Sequence, residues 1–127
     1  MRITKLLTCL ILLFTVSIVA FAQDDITLES AIESFWITTD YDTALDQLNA
    51  LIEMDDTNVD ALAYRGAVLT INGDLDAATA DFERALELEP ESALALSFRA
   101  RLALAVNETF TALDDANAAV ELAPESV

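Results

Sequence analysis

The sequence contains no histidine, one cysteine, two glycines and two prolines, and Lys5 is its only lysine. The missing histidine removes the commonest general base and the commonest imidazole ligand of metal ions. Six basic residues stand against 23 acidic ones, so the formal net charge of the 127-residue chain is −17. Binding to nucleic acid is disfavoured, because it requires Lys and Arg to displace counterions from the phosphate backbone. The length suits one small domain.

Sequence motifs of catalysis and of cofactor binding are also missing. Gly66 and Gly73 are the only glycines, so the chain has no P-loop, no dinucleotide fingerprint and no hydrolase nucleophile elbow. We therefore predict a protein that is not an enzyme and has no cofactor and no metal site. The acid pairs Asp40/Asp42 and Asp74/Asp76 lack the further ligands, the central glycine and the closing glutamate of an EF-hand, so we interpret them as helix caps. The acidic segment 55–60 lies at a repeat junction, where helix caps are also expected, and weak calcium binding is the alternative there. A weak cation-binding protein or a hydrolase is the less favoured alternative.

The first 22 residues have the features of a signal peptide. Arg2 and Lys5 precede the apolar run 6–21, and the triplet 20–22 has the small residues that signal peptidase recognises. We predict cleavage after residue 22, a mature domain over 23–127, and a periplasmic or secreted location. The alternative is an uncleaved segment that anchors the protein in a membrane. After cleavage the chain has no membrane span and no cysteine, and therefore no disulfide.

A sequence period of 34 residues runs through the rest of the chain. Pro90 and Pro124 are separated by this period and lie in similar sequence segments. Three copies of the repeat fit without a gap, at residues 25–58, 59–92 and 93–126. We predict two helices in each copy, because apolar and polar residues do not alternate as they do in a strand. Asp40 and Asp74 recur where they would cap the second helix of a copy. The sequence therefore predicts an all-α fold of three helix-turn-helix repeats.

This pattern resembles the tetratricopeptide repeat family. The second copy has its characteristic residues at Leu62, Gly66, Leu69, Ala78, Phe82, Ala85 and Pro90. The third copy has them at Leu96, Ala100, Ala103, Ala112, Ala116, Ala119 and Pro124. The first copy is degenerate, because Ile32 and Leu51 replace small residues, and we expect its helices to pack further apart. The resemblance implies a right-handed superhelical solenoid that binds a protein or peptide in its concave groove.

The resemblance also implies which residues line this groove. They lie on the first helix of each repeat: Ile26, Glu29, Glu33, Trp36 and Ile37, then Asp60, Ala63, Ala67, Thr70 and Ile71, then Leu94, Ser97, Arg101, Leu104 and Ala105. Apolar residues flanked by acids predict a partner with apolar anchors and positive charge. We predict that Trp36 is exposed in the groove; the alternative is that it packs against the second repeat.

An ion pair inside two of the repeats is a further prediction. Arg65 recurs as Arg99, and Asp81 recurs as Asp115, whereas the first repeat lacks both partners. This joint presence and absence predicts that the arginine of the first helix pairs with the aspartate of the second. The alternative is two independent surface charges.

The C-terminal repeat has an apolar last helix. Its apolar residues follow a helical pattern: Leu113, Ala116, Val120 and Leu122. Because the terminal repeat of a solenoid needs a polar outer face, we expect this end to be covered by a further repeat of a longer array or by another subunit. A self-assembling subunit of the cell envelope is therefore the alternative to a groove-binding scaffold.

Overall fold

The computed structural model describes residues 26–123. These residues form six α-helices and one π-helix: α1 (Leu28–Glu33), the π-helix (Ser34–Thr38), α2 (Tyr41–Met54), α3 (Val59–Asn72), α4 (Leu75–Leu88), α5 (Ala93–Ala105) and α6 (Thr109–Leu122). No strand occurs between residues 26 and 123. Each helix packs on the next, and α3 also packs on α5. The predicted all-α fold of helical repeats is confirmed, whereas the predicted signal peptide lies outside the described residues.

Side-chain caps determine where four of the helices begin. The capping residues that accept a backbone N–H are Thr27, Asp40, Asn58 and Ser92. Asp40 accepts from the hydroxyl and the N–H of Thr43, which lowers the pKa of its carboxyl because both hydrogen bonds favour the charged form. Asp74 stands at the start of α4 but its side chain makes no capping hydrogen bond. The predicted cap is therefore confirmed at Asp40 and wrong at Asp74.

The acidic segment between the first two repeats forms a local turn. The N–H and the hydroxyl of Thr57 donate to Oδ1 of Asp55, at 3.0 and 2.7 Å. These bonds lower the pKa of Asp55. Asn58 caps α3 by accepting the N–H of Ala61 at 3.0 Å. Asp55 and Asn58 thus serve the turn and the helix start.

The turn between the two helices of each repeat has a residue of the same backbone conformation at equivalent positions, one 34-residue period apart. Gly73 ends α3 in the left-handed region, with φ 87°. The equivalent residues of the other repeats, Thr39 and Asn107, are also left-handed, with φ 53° and 64°. Glycine adopts this conformation without steric cost, whereas a β-branched residue does not. The first repeat therefore makes the same turn with a strained threonine.

The packing of the two helices differs between repeats. In the second repeat, Gly66 lies against the ring of Phe82, so close that a Cβ on Gly66 would be 2.8 Å from ring carbons. The first repeat has Ile32 and Leu48 at these positions. Ile32 has a branched side chain where Gly66 has none, so the first repeat cannot reproduce this close approach. The helices of the first repeat make less extensive contact than α3 and α4, and α1 has only six residues. That they also lie further apart stays a prediction.

Candidate functional site

Four aromatic rings, contributed by all three repeats, meet where the first helices of the repeats come together. Between ring centroids, Phe35 lies 5.8 Å from Tyr64 and 6.1 Å from Phe98, and Tyr64 lies 5.4 Å from Phe98. Trp36 is edge-on to Phe35 at 4.7 Å and is 6.4 Å from Phe98. We call Phe35, Trp36, Tyr64 and Phe98 the aromatic cluster. Its contacts join the first helices of the three repeats; Phe35 and Phe98 are buried, and Trp36 is exposed.

The π-helix presents Trp36 at the edge of this cluster. Successive residues of a helix point in different directions, so three consecutive large apolar residues cannot share one core. Phe35 is 3% exposed, Trp36 is 53% exposed, and Ile37 is exposed as well. The N–H of Thr39 donates to the carbonyl of Ser34, which is the spacing of a π-helix, and the N–H of Asp40 donates to the same carbonyl at 3.0 Å. Single π-helical turns are frequent at functional sites.

A small pocket of about 30 Å³ lies beside the aromatic cluster. Its lining residues are Phe35, Ala67, Thr70, Ile71, Phe98 and Arg101. Four of these were predicted as groove residues; Phe35 and Phe98 were not. For Phe98, the sequence did contain a signal, because an aromatic residue recurs one period apart at Tyr64 and Phe98. Sites for drug-sized ligands typically have volumes of about 300–1,000 Å³. This pocket is much smaller, so it admits only part of one side chain.

The remaining predicted groove residues differ in their access to solvent. Those that are exposed are Ile26, Glu29, Glu33, Ile37, Asp60, Leu104 and Ala105, and Leu94 and Ser97 are half-buried. The hydroxyl of Ser97 donates to the carbonyl of Leu94 at 2.8 Å. Ala63 is fully buried in the core, because α5 packs on α3 and a methyl group is too short to reach past that contact. The prediction that Ala63 lines the groove is wrong.

An ion pair ties the two helices of the second repeat together. Nε and Nη2 of Arg65 donate to the two carboxylate oxygens of Asp81, at 2.8 and 2.7 Å. Nη1 of Arg65 donates to Oδ1 of Asn49 in α2, at 3.0 Å, which extends the contact to the first repeat. The hydrogen bonds to Asp81 raise the pKa of Arg65. Because the Asp81 side chain is nearly buried, it depends on this partner.

The third repeat contains the same ion pair. Nε and Nη2 of Arg99 donate to Asp115, both at 2.7 Å, and these bonds raise the pKa of Arg99. In the first repeat the equivalent residue of the second helix is Gln47, which accepts the hydroxyl of Ser34 at 3.3 Å. The predicted pairing is confirmed in both repeats. Arg101, in contrast, makes no ion pair within residues 26–123 and remains available at the pocket.

Comparison with known proteins agrees with this architecture. The family model of the tetratricopeptide repeat matches residues 59–92, which are the second repeat with its helices α3 and α4. No curated protein matches the chain. No helix between residues 26 and 123 has the length and the hydropathy that crossing a membrane requires. Repeats of this kind are typically non-catalytic and offer a surface to other proteins. The second repeat of the chain thus matches the tetratricopeptide repeat, and this repeat indicates a protein–protein interaction module.

Proposed function

We propose that this protein is an exported scaffold that holds a peptide segment of a partner protein against the first helices of its repeats. The observation that carries the proposal is Trp36, a large ring that is 53% exposed although it rests on Phe35 and Phe98. A rigidly supported aromatic surface is the usual centre of binding energy in a protein interface. The neighbouring pocket would receive an apolar side chain of the peptide.

Exposed charges on the first helices of the repeats indicate which charge the peptide would carry. Glu29 and Glu33 are exposed and lie one turn apart on α1, and Asp60 is exposed at the start of α3. Basic residues of the peptide would meet these carboxylates. Arg101 lines the pocket from the third repeat and favours a carboxylate at that end of the peptide. The charges would mainly speed encounter and select the partner, whereas apolar burial would supply the affinity.

Export is the second component of the proposal. It rests on the basic start, the apolar run and the small-residue triplet of residues 1–22. The expected product begins at Gln23 and is periplasmic or secreted. Mass spectrometry of the protein isolated from cell fractions tests this expectation. A membrane-bound protein that retains residues 1–22 would support the anchored alternative.

Peptides selected on the purified protein from a random library provide the test of groove binding. Selected peptides are expected to carry an aromatic or aliphatic residue beside Lys or Arg. Trp36→Ala should weaken their binding by at least about tenfold, since a binding hot spot contributes about 2 kcal/mol or more. Glu33→Gln should weaken binding mainly at low salt.

The matched control is Met54→Ala, which removes an exposed apolar side chain from the end of α2, outside the aromatic cluster. It should leave the affinity unchanged. Thermal melts of both variants separate binding from folding. If the folded fraction of Trp36→Ala binds as tightly as the wild type does, groove binding through Trp36 is wrong.

A further inference from the structure

A larger cavity, of about 420 Å³, lies between α4, α5 and the start of α6, where the second repeat meets the third. We call it the inter-repeat cavity. Its volume is within the range of about 300–1,000 Å³ that is typical of sites for small molecules. Leu75, Leu102, Ala103 and Val106 form its apolar wall. The residues that line it include no member of the aromatic cluster and no predicted groove residue, so the inter-repeat cavity is a separate place on the molecule.

The equivalent junction between the first and second repeats is occupied by side chains of the chain itself. Leu45, one period before Thr79, is half-buried and packs against the core. Asn49, one period before Glu83, is also half-buried and accepts a hydrogen bond from Nη1 of Arg65. At the second junction, Thr79 has a shorter side chain than leucine, and both Thr79 and Glu83 are exposed. These two replacements leave room beside α4 and place a carboxylate there.

Glu83 makes no ion pair within the part of the chain that the structure describes. Arg99 lines the same cavity, but its Nε and Nη2 donate to Asp115, which balances its charge. The hydrogen bonds to Asp115, and to a smaller extent the charge of Glu83, raise the pKa of Arg99. Asp76 and Glu108 also line the cavity, each at the start of a helix. Glu83 instead lies in the middle of α4, where it serves no helix end.

We propose that the inter-repeat cavity binds a small aliphatic amine, whose ammonium group is held by Glu83 and whose hydrocarbon part lies on Leu102 and Val106. This inference goes beyond peptide binding in the groove and does not depend on it. An ammonium group balances the charge of the carboxylate and donates up to three hydrogen bonds. The hydrocarbon part gains free energy from contact with the apolar wall.

The lining of the cavity disfavours other classes of ligand. An anion would meet three carboxylates of like charge, those of Asp76, Glu83 and Glu108. An uncharged apolar molecule would take the carboxylates out of water without giving them a partner. Within residues 26–123, no three acidic side chains are grouped so that they could hold a metal ion. An organic cation therefore fits this cavity better than a metal ion does.

The test is a titration of the purified protein with n-butylammonium, followed by NMR of the backbone amides. Saturable shifts are expected at amides around the cavity, namely those of Thr79, Glu83, Arg99, Val106 and Thr111. The uncharged analogue n-butanol should bind about fivefold more weakly, which is the upper value for the contribution of an exposed ion pair.

Variants locate the site and its charge. Thr79→Leu introduces the leucine of the first junction and should abolish the saturable shifts, because it fills the cavity. Glu83→Gln keeps the shape and removes the charge, so it should weaken n-butylammonium about fivefold and leave n-butanol unaffected. The matched control is Glu53→Gln, which removes an exposed carboxylate of α2 outside the cavity and should leave the affinity unchanged. Circular dichroism verifies that all three variants fold.

Two results would overturn the proposal. One is the absence of saturable shifts at the cavity, or shifts of equal size along α2, which attraction to the overall negative charge would produce. The other is an unchanged affinity in Thr79→Leu. Neither result affects groove binding, because the selected peptides and Trp36→Ala test a different surface.

Discussion

The first and second repeats follow the same 34-residue frame but hold their helices together by different means. The second repeat fits Gly66 against Phe82 and adds the ion pair of Arg65 with Asp81. The first repeat has aliphatic residues at the former positions and no charge at the latter. Its first helix widens into a π-helix that exposes Trp36. The regular repeat thus contributes tight packing, and the irregular repeat contributes the most exposed ring of the aromatic cluster.

The largest effect is expected from giving the second repeat a residue of the first. Gly66→Ile should lower the free energy of unfolding by about 3 kcal/mol or more, because overpacking a filled core forces side chains and backbone to shift. Even the Cβ would lie 2.8 Å from ring carbons of Phe82. Denaturant unfolding measures the change.

The matched double variant sharpens this comparison. Gly66→Ile combined with Phe82→Leu recreates the Ile32–Leu48 pair of the first repeat and should recover part of the lost stability. If the double variant is no more stable than Gly66→Ile, the complementary fit of glycine and ring does not explain the packing of the second repeat.

The ion pair should have the next largest effect. Arg65→Met should cost about 2–3 kcal/mol, less than the roughly 3–5 kcal/mol of a fully buried pair, because Arg65 is partly exposed. Arg65→Met with Asp81→Leu should cost less than the sum of the two single changes. The pair raises the pKa of Arg65. Its contribution to the free energy of unfolding is therefore present below the pKa of arginine in the unfolded chain, and it is lost only as the pH rises through the higher pKa of the folded protein. The effect should therefore be flat near neutral pH. Strict additivity in the double-mutant cycle would contradict coupling.

The smallest effect is expected at the turn. Thr39→Gly gives the first repeat the glycine of the second and should raise stability by about 0.5–1 kcal/mol, because it relieves a left-handed threonine. The reciprocal control, Gly73→Thr, should lower stability. Thermal melts of both variants measure the shifts, and a destabilised Thr39→Gly would show that the threonine is not strained.

The repeat frame, the helix order and both ion pairs could be predicted from the sequence, because each follows from residues that recur at a fixed offset. The π-helix could not be predicted, since nothing in residues 34–38 distinguishes a wide turn from an α-helical one. Burial of Ala63 and the contact of Phe98 with Phe35 depend on how helices of different repeats approach each other. Local periodicity carries no information on that distance.

The contact between Phe35 and Phe98 affects how the array loses its structure. In a solenoid whose repeats contact only their neighbours, unfolding can proceed one repeat at a time. Here a ring of the third repeat lies 6.1 Å from a ring of the first, and Tyr64 of the second contacts both. Melting any one repeat therefore strips partners from the rings of the other two. We therefore expect the array to unfold as one cooperative unit, and the proposed peptide-binding surface to be lost with it.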